Sequence, residues 1–197
     1  MFHLLISQLL RDIRHFCEWW GFWKRRAGVG GLFHASGVHD VDTLRFYFGE
    51  VDTVYAVAAP KFDTDTDYED AMALTLKFRS GAIASLGVTC RYPLLGFPHA
   101  FEHQIVCERG GIRYDPQTLT VFWQKVGGEP QSIRFPDAGY DVAYEAELNS
   151  FVEWVREGTL PIVTAEDGLR CVEVMQAAYL SAERGEPITL PLRRGLG

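Results

Sequence analysis

The densest group of residues able to do chemistry is the run Gly30-Gly31-Leu32-Phe33-His34-Ala35-Ser36-Gly37-Val38-His39-Asp40-Val41-Asp42. With Ser36 as the N-cap of a helix, His39 falls at the third helical position, inside the first turn. There the positive helix end disfavours imidazolium and lowers the histidine pKa. An imidazole kept neutral near neutral pH can hydrogen-bond a substrate hydroxyl or take its proton. Asp42, three residues on, shares the face of His39 and could fix its orientation. Val38, Val41, Leu44 and Phe48 form the apolar stripe of that helix, and His39 is not on it. His39 is therefore the predicted catalytic residue, with His34, Ser36 and Asp42 as predicted substrate contacts. The competing reading is a surface histidine near a helix cap.

Other chemistries find less support. His34, His39 and Asp40, with His99 and His103 on one face of a strand, are metal-ligand types. Six histidines in a chain of 197 residues produce such spacings by chance, so no metal is expected. No GxSxG elbow exists, and no cysteine stands beside a histidine. Glu145, Glu147, Glu166 and Asp167 read as capping or solvated charges. Arg91 and Tyr92, at the end of a predicted strand, are candidate substrate contacts. The glycines at Gly28-Val29-Gly30-Gly31 fail the GxGxxG test, because Phe33 stands where the third glycine belongs and no strand precedes them. No dinucleotide is expected to bind this chain alone.

The elements that must position these residues follow from periodicity. Residues 37–48 read as a helix closed by Gly49. Val51 to Ala59 and Met72 to Phe78 read as strands, the second with strict alternation. The next strand, Ala82 to about Arg91, has its apolar face at Ala82, Ala84, Leu86 and Val88. A two-residue loop would turn the two apolar faces to opposite sides. A three-residue loop, Arg79-Ser80-Gly81, pairs Phe78 with Ala82 and aligns them, with Gly81 in the left-handed region. The opposite face then carries Ala73, Thr75, Lys77, Ser85, Gly87 and Thr89, which suits solvent, a subunit contact or a ligand shelf. Strands follow at Glu102–Glu108, Ile112–Tyr114, Leu119–Lys125 and Ser132–Phe135. Two helices come next, one with the stripe Leu148, Phe151, Val152 and Val155, the other opened by a Thr164/Asp167 capping box. A short strand at Ile188–Leu192 closes the order. Leu5, Leu9, Ile13 and Phe16 recur at helical spacing, so the opening segment is predicted as an amphipathic helix packed on its own domain. The fold class is α+β: an open, mostly antiparallel (mixed) sheet with helices packed on one face.

Composition bounds the partners. With 47% hydrophobic and 23% charged residues the chain is globular. A net charge of −7 and no basic stripe argue against nucleic acid. No apolar run is long enough to cross a bilayer, and the charge of the N-terminus follows its apolar stretch, the reverse of a secretion signal. Cys17, Cys90, Cys107 and Cys171 form no CxxC pair, so a reducing cytoplasm is expected.

Several segments resemble the glucose–fructose oxidoreductase and inositol dehydrogenase (Gfo/Idh/MocA) family. They are Trp23-Lys24, Gly30-Gly31-Leu32, Gly37-Val38-His39-Asp40-Val41-Asp42 and Phe78-Arg79-Ser80-Gly81-Ala82. Near the end, Phe151, Gly158, Pro161, Thr164-Ala165-Glu166-Asp167-Gly168 and Leu190-Pro191 continue the series. Their order fits the family's C-terminal domain from about Trp20 to Pro191. The resemblance implies a two-domain enzyme whose Rossmann half binds NAD or NADP. The C-terminal half would supply a subunit-contact sheet and a substrate pocket at the domain junction. The histidine matching His39 would touch the reacting hydroxyl or carbonyl of a sugar or polyol, helped by a lysine of the other half. Two departures stand out: that Rossmann half is not in this sequence, and Ala35 stands where many members carry aspartate. Residues 1–19 are set apart as an N-terminal extension of the kind a fragment or truncated frame would give, and 20–197 as the domain. The expected function is the substrate-binding and oligomerisation domain of an NAD(P)-dependent oxidoreductase, homo-oligomeric through its open sheet face. It would act with a separate Rossmann partner. The alternative is a stand-alone sugar-binding or dimeric scaffold module.

Overall fold

The computed structural model describes residues 2–10, 25–61, 66–89 and 101–192. Among the described residues nine strands form one sheet: β1 (Phe2–Leu10), β2 (Val51–Ala58), β3 (Ala71–Phe78), β4 (Ile83–Thr89), β5 (Phe101–Cys107), β6 (Gly110–Asp115), β7 (Thr120–Lys125), β8 (Gln131–Arg134) and β9 (Ile188–Thr189). Their spatial order is β8-β7-β6-β5-β1-β4-β3-β2-β9. Every neighbouring pair is antiparallel except β1 with β4, so two four-stranded antiparallel halves are joined by one central strand. Among the described residues three helices of more than two turns complete the α+β fold: α1 (Val38–Phe48), α2 (Tyr140–Glu157) and α3 (Ala165–Arg184).

The hairpin register is the one the alternation requires. Leu76 pairs with Ala84 and Leu74 with Leu86, and the Phe78 N–H donates to the Ala82 carbonyl at 2.9 Å. Gly81 takes φ 86° to close that turn. Leu74, Leu76, Phe78, Ala84, Leu86 and Val88 consequently lie on one buried face. Against it pack Val41, Leu44 and Phe48 of α1 and Val174, Met175, Ala177 and Ala178 of α3. The core thus sits over the β2–β4 half, on one side of the sheet.

The opening segment is a correction. Helical spacing predicts an amphipathic helix, but Phe2–Leu10 is extended and pairs with β4 on one side and β5 on the other. An apolar run flanked by two strands gains a ladder of hydrogen bonds on both edges, which outweighs local periodicity. The rest of that predicted helix, through Phe16, lies outside the described residues. The capping box is present: Asp167 N donates to Thr164 Oγ1 at 3.3 Å, and Thr164 N donates to Asp167 Oδ2 at 2.9 Å. Among the described residues no helix is long and apolar enough to cross a membrane.

Candidate active site

The helix that carries His39 begins earlier than its sequence suggests. A π-turn over Phe33–Gly37 runs straight into α1. Ser36, the expected N-cap, instead lies within the turning chain, 1% exposed, and makes no cap. The helix start is held by Glu69, whose Oε1 accepts from the Phe33 N–H at 3.1 Å. The π-turn passes into α1 with Gly37 at the N-cap position, so His39 is the second residue of α1. It is exposed and off the apolar stripe, and its carbonyl accepts from Thr43 Oγ1 at 2.8 Å.

A polar cluster around the buried Glu69 carboxylate anchors this turn. Besides Phe33, Glu69 accepts from Arg26 Nη2 at 2.7 Å and from the Tyr179 hydroxyl of α3. The Arg26 guanidinium lies 5.0 Å from the centre of the Tyr179 ring, and the His34 ring meets Tyr179 edge-on at 5.1 Å. Burial, with the Glu69 carboxylate beside it, pushes the Tyr179 phenol up. Burial likewise pushes the half-buried His34 imidazole down. Two signals in the sequence hint at this cluster. A tyrosine on the core stripe of α3 brings a hydroxyl that needs a partner, and Glu69 precedes a buried strand. Neither hint says which residues meet.

The other candidates separate. Asp40 is wholly buried and approaches His103 Nε2 of β5 at 3.9 Å, so two members of the weighed metal set do meet, as a buried pair. Among the described residues no group of three His, Cys, Asp or Glu side chains could hold a metal ion; His99 lies outside them. Asp42, three residues on from His39, accepts a long contact from Cys171 Sγ of α3 at 3.6 Å. It also lines a cleft of about 270 Å³ walled on the far side by Ile162 and Val163. Arg45, buried beneath this cleft, pairs with Glu50 just past the end of α1 at 2.6 Å and ties α1 to α3 through Asp167 at 3.5 Å. Arg91 and Tyr92 lie outside the described residues. A wider hollow of about 550 Å³ runs along β5–β7, and none of the described candidate site residues lines it.

A dinucleotide cradle needs glycines whose open side faces a pyrophosphate at a strand-to-helix turn. Gly30 and Gly31 do take φ 79° and 119°. Their open sides, however, are filled from within. A Cβ on Gly30 would lie 2.4 Å from His34 Nδ1, and one on Gly31 2.3 Å from the Tyr179 hydroxyl oxygen. The preceding described element is a helical turn, Arg26–Val29, rather than a strand. These residues do not fit an NAD or NADP pyrophosphate.

Comparison with known proteins places this geometry. The chain is 28% identical over 173 residues to scyllo-inositol 2-dehydrogenase (NAD(+)) of Bacillus subtilis, covering 84% of this chain and 49% of that enzyme. It is 27% identical over 168 residues to myo-inositol 2-dehydrogenase of Thermotoga maritima, with 82% and 49% covered. The fold matches the crystal structure of aldose–aldose oxidoreductase from Caulobacter crescentus complexed with glycerol, with TM-score 0.80 and 24% identity, covering 96% of this chain and 56% of that one. The chain spans about half the length of the curated relatives it matches. The model of the oxidoreductase family's C-terminal alpha/beta domain (Gfo/Idh/MocA) matches residues 10–190, and to that family the chain belongs.

Proposed function

We propose that this chain is the substrate-binding and oligomerising half of an NAD(P)-dependent oxidoreductase acting on a sugar, polyol or related hydroxy compound. A Rossmann half outside the matched region would hold the dinucleotide. The observation that carries this reading is the extent of the likeness. The comparisons cover 82 to 96% of the chain, but only about half of each relative. In this reading the exposed imidazole of His39 takes the hydroxyl proton of the substrate. Asp42 reaches the substrate from the cleft wall, and Arg91 and Tyr92 are further proposed contacts. His34 and the buried Ser36 belong to the same turn and hold its shape. The free thiols Cys107 and Cys171 suit a cytoplasmic setting. The helix-free sheet face is the proposed homo-oligomer contact.

A screen of the chain alone by thermal shift tests the reading. Inositols and related polyols at millimolar concentration are expected to raise the unfolding midpoint, as a ligand of the folded state must. His39→Ala should weaken that shift without lowering the midpoint of the free protein. NADH should bind with no measurable affinity; a fluorescence titration giving a micromolar constant would refute the division of labour.

Ala35, where many members of the family carry aspartate, favours one other reading, a non-catalytic sugar-binding or dimeric scaffold module. Polyol binding is common to both. Turnover once a dinucleotide-binding half is supplied belongs to the first alone.

A further inference from the structure

Among the described residues α2 is the element that its own domain leaves uncovered. Its stripe of Leu148, Phe151, Val152 and Val155 is 65, 55, 41 and 68% exposed. The segment that follows continues the exposure, with Leu160, Ile162 and Val163 at 77, 80 and 54%. The neighbouring α3, of similar length, buries Val174, Met175, Ala177 and Ala178 instead. No described strand or helix packs substantially on α2. Isolated helices of this size are marginal in water, and helices in proteins take most of their stability from a covered stripe. A run of exposed apolar side chains on this scale marks a contact surface.

Charge selects the occupant. The helix carries Asp141, Glu145, Glu147, Glu153 and Glu157 against the single basic Arg156. Two copies of α2 facing each other would bring these carboxylates together, and like charges across an interface cost affinity. The relatives each contain as much chain again outside the region this sequence matches. We infer that α2 is the docking element for a dinucleotide-binding half, its stripe seated in an apolar groove rimmed by Lys and Arg. The inference rests on the function proposed above and adds to it the surface by which the two halves join.

The test joins the unmatched N-terminal part of the Bacillus subtilis scyllo-inositol 2-dehydrogenase to the start of the full chain. Amide hydrogen exchange is then followed in the fusion and in the lone chain. In the lone chain the amides of α2 should exchange fast while those of α3 are protected. In the fusion α2 should slow by at least about tenfold. The pair Leu148→Glu and Phe151→Glu should reverse that slowing while α3 stays protected, which reports that the fold is intact. Three results overturn the inference: protection of α2 already in the dilute lone chain, protection that grows with chain concentration, or no slowing in the fusion. Reduction of NAD by scyllo-inositol in the same fusion keeps the two readings apart. Turnover with α2 unprotected removes the docking surface and leaves the function. Protection without turnover leaves the docking surface and removes the function.

Discussion

His103 is 8% exposed, and burial pushes its imidazole below the ordinary 6.5; the Asp40 carboxylate 3.9 Å away does not offset this. Folded, the ring stays neutral in a range where the unfolded chain would protonate it. Below about pH 6.5 the unfolded state therefore binds more protons, and stability falls as pH falls. Above that pH the ring is neutral in both states and adds no slope. His34, also pushed down by burial, acts in the same direction. Urea unfolding at pH 7.5 and 5.5 should show a loss at the lower pH, and His103→Gln should shrink it. An unchanged loss in the variant would assign the slope to other groups. At this scale His39 is legible in the sequence as a side chain off the apolar stripe, and it is exposed. Ser36 is not legible, because sequence offers a cap only among near neighbours. The group that holds the helix start is Glu69, 36 residues from Phe33, and no local pattern announces it.

The β3–β4 hairpin shows what pattern can fix. Alternation over Met72–Phe78 and Ala82–Val88 admits one loop length that buries both apolar faces, and the residue left at φ 86° is Gly81. A Cβ at Gly81 would meet nothing within 4 Å, so Gly81→Ala tests backbone strain free of any clash. It should destabilise the chain by about 1–2 kcal/mol, read as a lower urea midpoint at unchanged slope. A neutral effect would mean that the turn relaxes to another geometry. The capping box of α3 is equally local, with Thr164 and Asp167 three residues apart. β1 is not. Leu5 and Leu9 suit a helix stripe or a buried strand, and the choice is made by β4 and β5, whose paired residues lie 79 to 105 positions further along the chain. Periodicity cannot see a partner that distant.

At the scale of the whole molecule, the described helices cover one side of the β2–β4 half, and no described helix lies on the other. That other face carries Thr75, Lys77 and Ser85, the small or polar residues that alternation assigns to it. It also carries Tyr55 opposite Thr75 and Ile83 opposite Lys77, 40 and 42% exposed, which alternation alone does not single out. Flat small residues between aromatic and branched anchors suit an interface better than they suit solvent, because anchors give affinity only where neighbours allow close approach. The lone chain should therefore self-associate at tens of micromolar in sedimentation velocity. Ser85→Arg sets a long charged side chain in the middle of the face, directly opposite Thr75. It should weaken association by at least about tenfold, or about 1.4 kcal/mol. Unfolding of the dilute protein should stay within about 0.5 kcal/mol of wild type, since the residue is exposed in the single chain. A wild-type chain that stays monomeric at 100 µM (about a thousandfold above a typical working concentration of 0.1 µM, some 4 kcal/mol in mass action) would remove this face as a contact. A Ser85→Arg chain that associates as tightly as wild type would move the contact elsewhere.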